Sequence, residues 1–158
     1  MNYYVILVLL EIIYGFAYLK KAAAHANCEL GVLTSGKRDL ISKVCDEILN
    51  NKHDDQFPLV IWQTGSGTQS NMNVNEVLAN LTLEHLGYEK GDYQHCHPLN
   101  HVNMSQSTND VYPTALRIAA IFKVRSLADA LASLQESLQK KESHFSAILK
   151  LGRTQLMD

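Results

Sequence analysis

The last third of the chain carries an apolar stripe that restricts the fold more than any other feature of the sequence. Its members lie three or four residues apart, interrupted only at Lys141: Val124, Leu127, Leu131, Leu134, Leu138, Phe145 and Ile148. An α-helix turns once in about 3.6 residues, so this spacing places them on one helix face. The pattern is typical of core packing rather than of a cofactor surface. It therefore predicts a long helix that packs at a shallow angle within a multi-helix bundle.

The composition is that of an ordinary folded protein, and it narrows the classes of function. The 158 residues are 46% hydrophobic and 19% charged, with 14 basic and 16 acidic side chains. Without a basic surface, neither nucleic acid nor an anionic membrane is a predicted partner. The cysteines, Cys28, Cys45 and Cys96, are odd in number and form no CxxC pair. This argues against a disulfide framework or a zinc site and favours a reducing, cytoplasmic setting.

The amino-terminal 19 residues are apolar enough to be compared with a membrane segment, since Glu11 is their one charge. The run from Tyr3 to Leu10 is too short to cross a bilayer, and no basic residue precedes it. A span would also place Glu11 near its centre. We therefore expect a buried helix here and no membrane partner, with Lys20 and Lys21 turned to solvent.

Helical patterns dominate the rest of the chain as well. Helices are predicted over Tyr14–Leu30, Thr34–Leu49 and Ser70–Leu86, while residues 59–62 can be extended and 88–106 form a loop. The last helix is predicted to start near Pro113 and to end at Gly152. The predicted fold class is all-α: a small helical N-terminal domain, residues 1–104, followed by the first long helix or helices of a multi-helix bundle, residues 105–158.

Polar side chains collect in three segments at the ends of these predicted helices: residues 63–75, 105–110 and 152–155. The first has glycines that free the backbone, then hydroxyls and amides at a helix start. Such a loop can hold a carboxylate with neutral donors and the helix dipole, and it lacks the lysine of a phosphate loop. Each segment also has a purely structural interpretation, as an N-cap at Ser70, a capping box of Ser107 with Asp110, and a helix end.

These segments, in this order, resemble the motifs of the aspartase/fumarase superfamily. The similar stretches are residues 54–58, 65–73, 101–110 and 152–155, within a resemblance from Glu11 to Asp158. The resemblance implies α-helical homotetramers that reversibly eliminate water or ammonia from a four-carbon dicarboxylate to give fumarate, with each active site built from three subunits. For this chain it implies a small dicarboxylate substrate, a homotetramer in the full-length form, and no cofactor or metal.

The same resemblance implies which side chains contact the substrate. Ser66, Gly67 and Thr68 hold a carboxylate, Ser107, Thr108 and Asn109 hold the other end, and Thr154 and Gln155 contribute from another chain. The implied mechanism abstracts a proton next to a carboxylate and forms a dianion that hydroxyl and amide donors stabilise. The family's general base is a serine near a Met-Pro-x-Lys-x-Asn stretch. Because this sequence lacks that stretch, no catalytic residue is assigned, and the isolated chain is expected to be an inactive N-terminal portion of a larger lyase.

The sequence gives conflicting indications of the substrate. Residues 20–25 and 61–70 resemble class II fumarate hydratases more than aspartases. Residues 86–94 point to aspartase, as does Thr108, where fumarases usually carry a second serine, and so does Gln155, where fumarases carry a histidine. We favour aspartate ammonia-lyase, because these residues lie nearest the leaving amine. Class II fumarate hydratase is one alternative, and a non-catalytic oligomerisation or binding module is the other.

The segment 95–101 raises the question of a metal site, because it contains three histidines and one cysteine. Its spacing matches no known zinc pattern, so no metal ligand is predicted there. Leu99 and Asn100 also replace two polar residues of the pattern His-Pro-Asn-Asp-His, which fumarases carry at a second site.

Overall fold

The structure is a computed structural model, and it describes residues 9–61, 67–152 and 155–156. These residues form four α-helices: α1 (Leu10–Glu29), α2 (Ser35–Leu49), α3 (Thr68–Leu86) and α4 (Thr108–Phe145). A short 3-10 helix covers Asp54–Gln56, a single π-helical turn covers Pro98–Val102, and no β-strand occurs within the described ranges. The prediction of an all-α fold is confirmed.

Three helix ends differ from the prediction: the start of α1 and both ends of α4. α4 begins at Thr108, ahead of the predicted start near Pro113, because Ser107 supplies a cap before it. α1 begins at Leu10, ahead of the predicted Tyr14, because apolar residues such as Ile13 continue its buried face into the core. α4 ends at Phe145 rather than at Gly152. Next to Phe145, the Ser146 hydroxyl donates to the Ser143 carbonyl at 2.9 Å and competes with the helical bonds. Within 59–62, Val60 forms an isolated β-bridge, which agrees with the extended stretch expected there, and Trp62 lies outside the described residues.

The first compact unit of the chain extends to Ile121, and its core lies between α1, α2 and α3. Its largest fully buried apolar side chains come from these three helices: Ile13, Phe16, Ile41, Val44, Ile48, Val74, Leu78 and Leu83. The start of α4 also joins this core, because Gly15 of α1 lies directly against the backbone of Ala115. A side chain at position 15 would overlap the Ala115 carbonyl, so the glycine permits the two helices to approach closely.

The second compact unit runs from Phe122 and contains the remainder of α4. Every described residue from 122 to 152 is exposed, including the whole apolar stripe, whose members are 51% to 62% accessible. The domain boundary expected after residue 104 stays a prediction. No helix among the described residues combines the length and the apolar character needed to cross a membrane.

We expect the exposed stripe to make the isolated chain self-associate, because an apolar patch of this extent rarely stays bare on a soluble protein. Analytical ultracentrifugation of the purified chain should show a concentration-dependent oligomer. The double variant Leu131→Lys with Leu138→Lys should shift it towards monomer. The matched control, Ser133→Lys with Ser137→Lys, adds the same two charges outside the stripe and should leave the association unchanged. Monomeric wild-type chain at all concentrations contradicts the expectation.

Candidate active site

The first turns of α3 and α4 lie against each other. Gly67, the N-cap of α3, has a φ of +78°, and a side chain there would overlap the ring of Tyr112 in α4. The Gly67 carbonyl accepts the first-turn bond of α3 from the Asn71 N–H at 3.0 Å. Helix N-termini carry N–H groups that have no acceptor within the helix, together with the positive end of the helix dipole. Two of them at one place favour the binding of an anionic group.

Ser107 caps the start of α4. Its hydroxyl oxygen accepts from the Asn109 N–H at 3.2 Å, and its carbonyl accepts from the N–H groups of Asp110 and Val111 at 3.0 Å. This is an N-cap bond to the second helical residue, whereas the expected capping box would use the N–H of Asp110, the third. Thr108, at the first helical position, is half-buried, whereas Ser107 and Asn109 are exposed. The first turn of α4 therefore presents hydroxyl and amide groups at its surface.

A fully buried lysine forms hydrogen bonds with the segment that directly precedes this turn. Lys20 is 0% exposed, and its ammonium nitrogen donates to Asn103 Oδ1 at 2.8 Å and to Gln106 Oε1 at 3.0 Å. The expectation that Lys20 faces solvent is wrong. The Lys20 side chain extends from α1 to the polar segment before α4. The next residue, Lys21, instead pairs with Asp46 at 2.7 Å on a partly exposed face of the helix.

The surroundings of Lys20 disfavour the protonated, charged form of its amine. Burial lowers the pKa of the Lys20 ammonium to about 7, and the nearby Cys45 thiol opposes this only in part. Both hydrogen-bond acceptors of Lys20 are neutral amides, and no carboxylate pairs with it among the described residues. A buried amine without a counter-charge loses its proton more easily than one in water.

Two buried amides of α3 complete the network under the turn. Asn71 and Asn75, 1% and 0% exposed, both donate to Asn103 Oδ1, at 3.3 and 3.2 Å. The second N–H of the Asn71 amide group donates to Thr108 Oγ1 at 3.0 Å. The network therefore links α1, α3 and the start of α4, and it ends at the hydroxyl of a predicted substrate contact.

Sequence reasoning did not single out this network. Asn71 and Asn75 lie four residues apart in α3, among positions that the apolar pattern assigns to the core. A pair of amides at core positions requires hydrogen-bond partners, and that was the available signal. The partners Lys20 and Asn103 are distant in sequence, and no spacing rule connects them.

The structure brings some of the predicted site residues together. Gly67 and Thr68 lie at the start of α3, and Ser107, Thr108 and Asn109 lie at the start of α4, which contacts it. Gln155 belongs to the second compact unit. Two predicted residues, Ser66 and Thr154, lie outside the described residues.

Comparisons with known proteins decide the family. A family model described as a lyase matches residues 5–158 of the chain. The chain belongs to this lyase family. It is 58% identical over 149 residues to the class II fumarate hydratase of Haemophilus ducreyi, covering 94% of this chain and 32% of that protein. It is 47% identical over 144 residues to the aspartate ammonia-lyase of Helicobacter pylori, covering 91% of this chain and 31% of that protein.

A solved structure has the same fold as this lyase chain. The crystal structure of fumarate lyase:delta crystallin from Brucella melitensis matches with a TM-score of 0.91 and 44% identity, over 99% of this chain and 37% of that one. The chain thus spans about a third of the length of the relatives it matches. The predicted aspartase/fumarase superfamily is confirmed. The preference for aspartase over fumarase is not supported, because the fumarate hydratase is the more similar of the two.

The segment before α4 in this lyase is held by its own histidines. His97 Nδ1 accepts from the N–H groups of Leu99 and Asn100 at 3.0 and 3.2 Å, and His101 Nδ1 accepts from the His97 N–H at 2.8 Å. Both rings thus stabilise the π-helical turn. Within the described ranges, no group of three or more histidine, cysteine or acidic side chains could hold a metal ion.

Proposed function

We propose that this chain supplies part of the dicarboxylate-binding site of a class II fumarate hydratase, an enzyme that interconverts L-malate and fumarate. The observation that carries the proposal is the meeting of two helix starts, where Gly67 at the start of α3 lies against Tyr112 of α4 and Asn71 donates to Thr108 Oγ1. The 58% identity to a fumarate hydratase supports the choice of substrate over that of other family members.

The chemistry of the site suits the binding of carboxylates by neutral donors. Hydroxyls, amides and helix N-termini stabilise a carboxylate without a formal positive charge next to it. In the proposed reaction a base removes the proton next to one carboxylate, and negative charge accumulates on that carboxylate before water departs. Donors already aimed at this charge stabilise the transition state more than the ground state, with each donor contributing about 3 kcal/mol. In this proposal the base and the remaining site residues are not among the residues that the structure describes in one chain.

Aspartate ammonia-lyase is the second candidate, and specific residues favour it. Thr108 takes the place of the second serine that fumarases usually carry, and Gln155 takes the place of a histidine. The aspartate ammonia-lyase of Helicobacter pylori is 47% identical, so the family resemblance alone leaves this substrate open.

One assay distinguishes the two candidates: the absorbance at 240 nm measures fumarate formed from L-malate or from L-aspartate. The chain is tested alone and also within a chimera, in which it replaces the matching third of the Haemophilus ducreyi fumarate hydratase. We expect the chimera to form fumarate from L-malate and the chain alone to form none. Fumarate from L-aspartate only would establish the aspartase candidate. A folded chimera that is silent with both substrates would contradict the proposal and favour a non-catalytic binding module.

A further inference from the structure

Backbone carbonyls at one end of the buried network determine which groups donate and which accept, because a carbonyl can only accept hydrogen bonds. The Asn103 amide group donates to the Gln106 carbonyl at 3.0 Å, so Asn103 Oδ1 must face the opposite side as an acceptor. The Gln106 side-chain amide group donates to the carbonyls of Val102 and Met104 at 3.0 and 3.1 Å. Gln106 Oε1 is therefore also left as an acceptor, and Lys20 satisfies it.

This constraint determines the orientation of the Asn71 side chain. Because Asn103 Oδ1 only accepts, Asn71 must present its NH2 group to it, as Asn75 does. One hydrogen of the Asn71 NH2 group is used there, and the other is directed to Thr108 Oγ1 at 3.0 Å. Lys20 donates to the same acceptor in either charge state, since a neutral amine keeps two N–H bonds.

The orientation of Asn71 in turn restricts what the Thr108 hydroxyl can do. A hydroxyl has one hydrogen and two lone pairs, and one lone pair of Thr108 Oγ1 is occupied by Asn71. Since Asn71 offers a donor, the Thr108 hydrogen cannot be directed at it. Thr108 is half-buried at the start of α4, so this hydrogen can reach a ligand there.

We propose that Asn71 is a positioning residue, which holds the Thr108 hydroxyl as a dedicated hydrogen-bond donor for a substrate carboxylate. The inference rests on the proposed function in so far as Thr108 contacts the substrate. It adds a specific role for a buried side chain that does not itself touch the ligand. The competing interpretation is that Asn71 only ties α3 to α4.

Two matched variants separate these interpretations, Asn71→Asp and Asn75→Asp. Both substitutions keep the side-chain shape, remove one donor from Asn103 Oδ1 and introduce a carboxylate into the same network. Of these two asparagines, Asn71 is the one that donates a hydrogen bond to Thr108 among the described contacts. In Asn71→Asp the carboxylate accepts the Thr108 hydrogen, and the hydroxyl is lost as a donor to the ligand.

The measurement is the Kd of fumarate in the chimera, by calorimetry, which does not require turnover. We expect Asn71→Asp to raise the Kd by about tenfold to a hundredfold, the effect of losing a hydrogen bond to a charged group. Asn75→Asp should raise it by no more than about twofold, within the scatter of contacts that do not interact. Thr108→Val should match Asn71→Asp, and the double variant should bind no more weakly than either single one, because both remove the same donor.

Equal weakening by Asn71→Asp and Asn75→Asp overturns the inference in favour of a structural tie, and so does the absence of fumarate binding by the unsubstituted chimera. Selective weakening at position 71 supports it even if the chimera turns over neither L-malate nor L-aspartate, in which case only the proposed function fails. If Asn71→Asp does not fold, Asn71→Ser replaces it, with Asn75→Ser as the matched control in the same chimera. A larger Kd of fumarate for Asn71→Ser than for Asn75→Ser supports the inference, and equal Kd values overturn it.

Discussion

Replacement of Gly67 by alanine is expected to lower the free energy of unfolding by about 3 kcal/mol, as measured by urea denaturation. Two costs add at this position. The backbone has a φ of +78°, which costs a residue with a Cβ about 1–2 kcal/mol. The new methyl group also overlaps the ring of Tyr112, and such overpacking typically costs about 1–3 kcal/mol.

Gly31→Ala is the matched control for this variant. Gly31 has a similar φ of +75°, but no other group lies within reach of an added Cβ. It should therefore show only the backbone cost, about 1–2 kcal/mol. Adding Tyr112→Ala to Gly67→Ala should recover the steric part of the loss relative to Tyr112→Ala alone. Equal losses for Gly67→Ala and Gly31→Ala would mean that the starts of α3 and α4 do not approach as closely as described.

The stability of the chain is expected to rise by about 2 kcal/mol between pH 7 and pH 9 because of Lys20. Burial lowers the pKa of its ammonium to about 7 in the folded chain, while in the unfolded chain the pKa keeps its ordinary value of 10.5. Between these values the unfolded state binds more protons, so stability increases with pH. Below about pH 7 both states are protonated and this contribution is lost.

The rise should end near pH 9, where buried thiols begin to act in the opposite direction. Burial raises the pKa of Cys45 to about 12 and that of Cys96 to about 11, from an ordinary value of 9.0. Above pH 9 the unfolded state therefore releases thiol protons that the folded state keeps, and stability falls. Urea denaturation at half-unit steps of pH measures the curve. Lys20→Met should abolish the rise between pH 7 and 9, and an unchanged rise in this variant would assign it to another group.

Much of the fold follows from local patterns in the sequence. α2 and α3 are found within two residues of their predicted bounds at each end, because apolar periodicity and the stop at Gly87 are local signals. The polar segments at 67–68 and 107–109 were also found from sequence, since helix starts need capping side chains and the motifs there are distinctive. The end of α4 was not predicted, because the apolar pattern continues to Ile148 beyond the last helical residue, Phe145.

The buried network could not be predicted in the same way. Lys20 and Lys21 are neighbours in the middle of α1, and nothing in the residues around them distinguishes the buried lysine from the partly exposed one. Its burial depends on Asn103 and Gln106, which are more than eighty residues away in the sequence. Long-range pairing of this kind is determined by how helices pack, and a pattern of single residues does not encode it.

If the paired starts of α3 and α4 bind a carboxylate of the substrate, loss of the Thr108 donor should weaken the binding of L-malate, which the KM of the chimera measures. Thr108→Val removes the proposed donor, whereas Thr114→Val removes a hydroxyl of the same helix that bonds to the Asp110 carbonyl at 2.7 Å. We expect Thr108→Val to raise the KM about tenfold or more and Thr114→Val to leave it unchanged. Equal KM values for the two variants would contradict this expectation.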